Sequence, residues 1–151
     1  MLAEVLAAVA LIAIGLAALA SAIPVAGAAV SEGAKLSTAT FLAGARLEEV
    51  RAAAWSTAPP LDRLGVSGAA LSAPQNGGTT TFADEAPLPD PFAGYNRQIR
   101  ILHCGLPPGC GAVISARLRQ VTVTVTYRPV TPSGVAPLDK TVSITTLVAE
   151  R

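Results

Sequence analysis

The feature that most constrains this chain is the absence of any charge between Glu4 and Glu32. The roughly 27 residues between them are mostly Ala, Leu, Ile and Val, and about 20 such residues suffice to cross a bilayer as a helix. The segment is therefore expected to span a membrane. Glu4 stands at the head of the run. An ionised carboxylate carried into the centre of a span costs about 2.5 to 3.5 kcal/mol on insertion scales, so its presence calls for a physical reason.

A cleaved secretory signal is the main rival, with Ala20-Ser21-Ala22 as the cleavage site. Such signals open with a basic region and carry a shorter apolar core; here the first charge is acidic and the run is long. Orientation follows the Lys/Arg balance beside a span, with the positive side cytoplasmic. Lys35, Arg46 and Arg51 follow the run and no basic residue precedes it. Read literally, that leaves the C-terminal part in the cytoplasm, and a basic leader upstream of Met1 would reverse the orientation.

Pro24 lies within the helical pattern, and Gly15, Gly27 and Gly33 add soft points, so a bend near Ile23-Pro24 is expected. From Ser31 the pattern becomes amphipathic. Leu36, Ala43 and Val50 recur as one line and Thr40, Leu47 and Ala54 as another, with Lys35, Arg46, Glu49 and Arg51 opposite. Ser56-Thr57-Ala58-Pro59-Pro60 ends the helix. One bent helix from Met1 to about Trp55 would be roughly 80 Å long.

Residues 56–96 are rich in Pro, Gly and Ser and are expected to form a long loop, either a contact surface or an ordinary loop with a short strand at Thr79–Phe82. Within it, the adjacent carboxylates Asp84 and Glu85 are expected to face solvent. Strands follow at 98–103, 119–127 and 141–148. In the second, Val121, Val123, Val125 and Tyr127 alternate strictly with threonines. Pro129 to Pro137, centred on Ser133-Gly134, is the expected reversal between the last two. The fold class is α+β: a long N-terminal helix, membrane-spanning over 1–30 and amphipathic over 31–55, packed on a small antiparallel sheet over 97–151. One sheet face would lie on the helix, and the threonine face would be solvated or bind carbohydrate or a partner strand.

Cys104 and Cys110 flank Gly105-Leu106-Pro107-Pro108-Gly109. Three readings are open: a disulfide, which needs an oxidising compartment; two inert thiols; or a metal site with His103, short of the usual four zinc ligands. No catalytic motif is present, and an enzyme is not expected. A net charge of +1 lacks the concentrated basic face of a nucleic-acid binder. No cofactor is implied.

The stretch Met1-Leu2-Ala3-Glu4-Val5-Leu6 and the Ala/Leu/Ile helix after it resemble the mature N-terminus of the type IV pilin superfamily, with Glu4 on that family's glutamate. Leu47-Glu48-Glu49-Val50-Arg51-Ala52, the Val-Thr strand and Val142-Ser143-Ile144-Thr145-Thr146-Leu147 are similar to its small minor-pilin and pseudopilin members. The chain as given lacks the basic leader and Gly-Phe junction of that family, so Met1 is expected to be an internal methionine. The resemblance implies a pilin-like fold and a structural subunit of a type IV pilus or type II secretion machine. It further implies a single pass through a bacterial inner membrane with the C-terminal domain outside the cytoplasm, and processing by a prepilin peptidase where a leader exists. Its partners would be other pilin or pseudopilin subunits, met through the N-terminal helix, with Glu4 reaching a neighbour's N-terminal amine. The alternative is a membrane-anchored extracytoplasmic binding domain that is not built into a filament.

Overall fold

The computed structural model describes residues 2–56, 62–68, 72–130 and 138–150. Expectations placed on Met1, on the helix stop at Thr57–Pro60 and on the turn at Ser133-Gly134 lie outside the described residues. One helix, α1 (Leu2–Ala52), is followed by a hairpin of β1 (Gln75–Asn76) and β2 (Thr79–Thr80), then by β3 (Tyr95–His103), β4 (Leu118–Tyr127) and β5 (Lys140–Ala149). The last three make one antiparallel sheet in the order β3-β4-β5. This is an α+β fold, a long helix on a small antiparallel sheet.

The 51 residues of α1 make a rod of roughly 77 Å. The helix continues through Pro24, whose missing N–H leaves one carbonyl of the preceding turn without its helical donor. It ends at Ala52, three residues before the expected stop at Trp55. There the Ala53 amide bonds back to Val50 O at 3.1 Å, and the chain turns so that Trp55 enters the core, 1% exposed.

The heptad lines are only partly the buried ones. Ala43, Leu47 and Val50 are buried, but Leu36 is 49% exposed and Thr40 and Ala54 are also exposed. The buried set is Ala39, Leu42, Ala43, Leu47 and Val50. A helix has 3.6 residues per turn, so a strict seven-residue recurrence drifts about 20° per repeat and walks off the sheet. Arg46 is likewise not on the far side: its guanidinium lies 5.4 Å from the centre of the Phe82 ring.

On the sheet, Val121, Val123, Val125 and Tyr127 of β4 point inward as the alternation requires. Ile99 pairs with Val123, which pairs with Ile144; Ile101 pairs with Val121. The helix packs over β4 and β5. Over β3 the cover comes from the Pro/Gly-rich region, a correction to its reading as a surface loop: Leu64, Phe82 and Leu88 join the core cluster. The expected strand at Thr79–Phe82 is confined to Thr79–Thr80, because Phe82 leaves it to become buried.

Arg119 sits on the inward face of β4, beside four apolar residues, and is 6% exposed. A charge there requires a partner. Asp62 supplies one in a two-point contact, Nη1 to Oδ1 at 2.6 Å and Nη2 to Oδ2 at 2.8 Å. Gly65 O accepts a further bond at 3.1 Å, and the guanidinium stacks 4.3 Å from the Trp55 ring centre. Asp62 also accepts the Leu64 and Gly65 amides, both at 3.0 Å. Burial pushes its carboxyl up, but Arg119 and the two amides outweigh that and hold it below the ordinary carboxylate value. Asp62→Ala strands a buried guanidinium and is expected to cost about 3 to 5 kcal/mol, the range for breaking a buried pair. Urea denaturation of the variant followed by Trp55 fluorescence measures it.

Candidate functional site

Among the described residues, nothing in the domain covers the first half of α1. Residues 2–27 are all exposed, including Leu6, Leu11, Ile14, Leu19 and Ile23 at 60–70%. The helix is long and apolar enough to cross a membrane. A Cβ added at Gly15, Gly27 or Gly33 would meet open space, so no part of the domain approaches those positions. Glu4 lies in the first turn, where the helix dipole favours a negative charge.

Where the rod meets the domain, α1 is held by a polar collar. Glu32 accepts hydrogen bonds from Lys140 Nζ at 2.7 Å, Tyr127 Oη at 3.0 Å and the Val130 amide at 3.2 Å. One turn on, Lys35 Nζ donates to Arg128 O at 3.0 Å. The end of β4 and the start of β5 are thereby tied to the point where the helix turns amphipathic. The bond from Lys140 lowers the Glu32 pKa most; loss of water opposes it, and Tyr127 and Val130 add to the lowering. Burial first, and then the bond to Glu32, push the Tyr127 phenol up.

At the opposite end of the sheet, Cys104 and Cys110 form a disulfide with Cα atoms 5.1 Å apart. Of the three readings open in the sequence, this excludes the free thiols and removes the thiolates a metal would need. His103 is exposed, and its Nδ1 accepts the Gly105 amide at 3.1 Å. The loop is laced by backbone bonds: Cys110 and Val113 exchange both of theirs, at 2.9 and 3.0 Å, and the Ser115 amide reaches Cys104 O at 3.0 Å. Leu106, Val113 and Ile114 project from it, 73%, 44% and 58% exposed.

Asp84 is exposed, as expected, and Glu85 is half-buried, but neither is idle. Arg100 grips both Asp84 oxygens at 2.6 and 2.8 Å. Arg97 holds Glu85 at 2.6 Å and reaches Leu42 O of α1 at 3.3 Å. The arginine bond outweighs burial and holds the Asp84 carboxyl low. These carboxylates bind the loop to β3, so they are spent on structure. The signal that would have found them is the period of two in β3, which puts Arg97 on the inward side and Arg100 on the outer.

Glu4 and the disulfide thus occupy opposite ends of the molecule and do not converge on one cleft. They lie at the two ends of an elongated chain: an apolar rod at one, a cross-linked tip at the other. No protein-family profile matches the chain, and no curated protein or solved structure matches it either.

Two outcomes follow from this geometry. Because the folded Glu32 pKa lies below its ordinary value of 4.5, the collar stabilises fully above that value and its contribution is lost as pH falls through the folded one. Glu32→Gln should lower the urea midpoint near neutrality, and the gap to the wild type should close in acid. Replacing Cys104 and Cys110 by Ser should cost about 2 kcal/mol, the chain-entropy value for so short a loop, and intact-mass spectrometry of the non-reduced wild type should find no free thiol.

Proposed function

We propose that this chain is a structural assembly subunit, a minor pilin or pseudopilin of a type IV pilus or type II secretion system, with no catalytic role. One observation carries the reading: the uncovered apolar half of α1 and the core half of the domain are a single continuous helix. A tether that only keeps a binding domain near a membrane works through a flexible linker, and domains joined by linkers move independently. Here no linker intervenes, and the collar at Glu32 fixes the helix to the sheet at the exit point. Such a subunit delivers its head at a set position once its helix is packed among others.

The remaining features agree. The disulfide fits a domain outside the cytoplasm, where oxidation persists, on a single-pass protein of a bacterial inner membrane. In a filament the helices leave lipid and pack on one another, and by the resemblance Glu4 meets the N-terminal amine of a neighbour and sets axial register. A buried ionised group contributes specificity of this kind where it is paired across an interface. The partners are accordingly other subunits of the same class.

Glu4→Ala should leave membrane insertion and the folded head unchanged while abolishing incorporation. Co-purification of tagged subunit with sheared pili or pseudopili, wild type against Glu4→Ala, measures this. Normal incorporation of the variant would remove the register role of Glu4, and absence of the wild type itself from the sheared filaments would leave the anchored-domain alternative.

A further inference from the structure

The two edges of the sheet are treated differently. In β3 the outward amides and carbonyls belong to Tyr95, Arg97, Ile99, Ile101 and His103, because Cys104 N bonds to Leu118 O on the β4 side and bonding alternates from there. That edge is covered. Glu85 and Arg97 exchange both backbone bonds at 2.9 and 2.8 Å, the Leu88 amide reaches Tyr95 O at 2.9 Å, and Ser67 bonds to Ile101 through its amide at 2.7 Å and its hydroxyl at 3.0 Å.

The β5 edge has no such cover among the described residues. Glu150 N bonds to Arg117 O at 3.0 Å, so by the same alternation Val142, Ile144, Thr146 and Val148 bond inward to β4. Thr141, Ser143, Thr145, Leu147 and Ala149 then turn their N–H and C=O groups outward. The close side-chain approach typical of pairs that do not share backbone bonds agrees: Thr122 and Thr145 hydroxyls are 3.1 Å apart, as are those of Thr124 and Ser143. Proteins protect a free edge with charge, proline, a bulge or a short strand. From Thr141 to Ala149 this strand has no charge, proline or glycine, and it spans 10 residues with Lys140.

From this we infer that β5 is a docking edge for an extended segment of a different protein, which adds to the sheet as a fourth strand. A row of alternating amides and carbonyls is matched group for group by another extended backbone, which replaces the water on it. On the helix side the added strand would lie beside Val142 and Ile144, which are only partly buried at the margin of the core, so alternate apolar residues fit there. On the outer face it meets the Thr141, Ser143 and Thr145 hydroxyls, which suit small polar residues. Near the tip this face opens into a cavity of about 290 Å³ lined by Cys110, Gly111, Gln120, Thr145, Thr146 and Leu147, close to the lower size of small-ligand sites. One apolar side chain of the segment would seat there against Leu147 and the disulfide loop.

A second copy of this chain is disfavoured as the occupant. Antiparallel pairing of β5 with its own copy about a two-fold axis normal to the sheet would point the two α1 rods in opposite directions. Two copies anchored through α1 in one membrane cannot adopt that arrangement.

The test uses the full chain in nanodiscs with fluorescent decapeptides of alternating Val and Thr, carrying Leu, Phe or Asp opposite Leu147. Peptides with Leu or Phe should bind, protecting the Ser143, Thr145 and Leu147 amides from hydrogen exchange, and the Asp peptide should bind at least about tenfold more weakly, as expected for a charge set against Leu147 and the disulfide with no cation in the lining. N-methylation of alternate peptide amides should abolish binding. Thr145→Pro removes one outward donor without touching the β4 ladder and should weaken binding about tenfold or more, whereas Thr145→Val should change it little. Protection of Ile144 and Val148 in Thr145→Pro verifies its fold; should it fail to fold, the N-methylated peptide on the wild type decides. Absence of binding by every peptide, binding indifferent to N-methylation, or binding without protection of the edge amides would overturn the inference. So would protection that appears without peptide, whether it rises with protein concentration, the mark of a second copy, or comes from the lipid.

Discussion

Everything in this molecule depends on one helix meeting two different surroundings. Over its first half α1 is apolar on all sides, which suits lipid or a bundle of like helices. Over its second half only one stripe is buried, Ala39, Leu42, Ala43, Leu47 and Val50. The change falls at Glu32, the first charge after Glu4, and the collar of Tyr127, Lys140 and Val130 closes on that residue. A carboxylate at the lower rim of the domain therefore marks the boundary in sequence and fastens it in space.

The small core explains the second recurring device. With few aromatic side chains, the domain turns arginines inward and uses their apolar stems and flat guanidinium faces as packing material. Arg119 lies on Trp55, Arg46 lies on Phe82, and Arg97 bridges Glu85 to the backbone of α1. Each inward arginine is satisfied mainly by the segment between α1 and β3 or packs against it. That segment would otherwise have little apolar surface with which to hold itself on the sheet.

The helix, the three strands, their antiparallel order and the spacing of the cysteines were legible in the sequence, because each rests on a local period or separation. The buried stripe was legible only in part: seven-residue recurrence selected Ala43, Leu47 and Val50 but also Leu36, which the drift of a real helix carries into solvent. The folding-back of 62–68 and 72–92 was not legible. Its core residues Leu64, Phe82 and Leu88 are isolated among Pro and Gly with no period to betray them, and the pairing of Asp62 with Arg119 joins residues 57 positions apart. Asp84 and Glu85 look idle until the register of β3 places an arginine beside each.

Two fastenings at opposite ends of the head have a mechanical consequence. The collar grips α1 at Glu32 and Lys35, and the Trp55–Arg119–Asp62 stack grips the chain just past its end. These points are about 20 helical residues apart, or roughly 30 Å at 1.5 Å per residue. A rod held at two well-separated points cannot pivot on the sheet it crosses, so the direction in which α1 leaves the head is set by the head. The free edge of β5 and the disulfide tip are then presented at a fixed orientation to that rod. Packing the apolar half among other helices would thus determine where both surfaces point, and the place left for the rod to bend is Pro24, where the helix lacks a backbone bond.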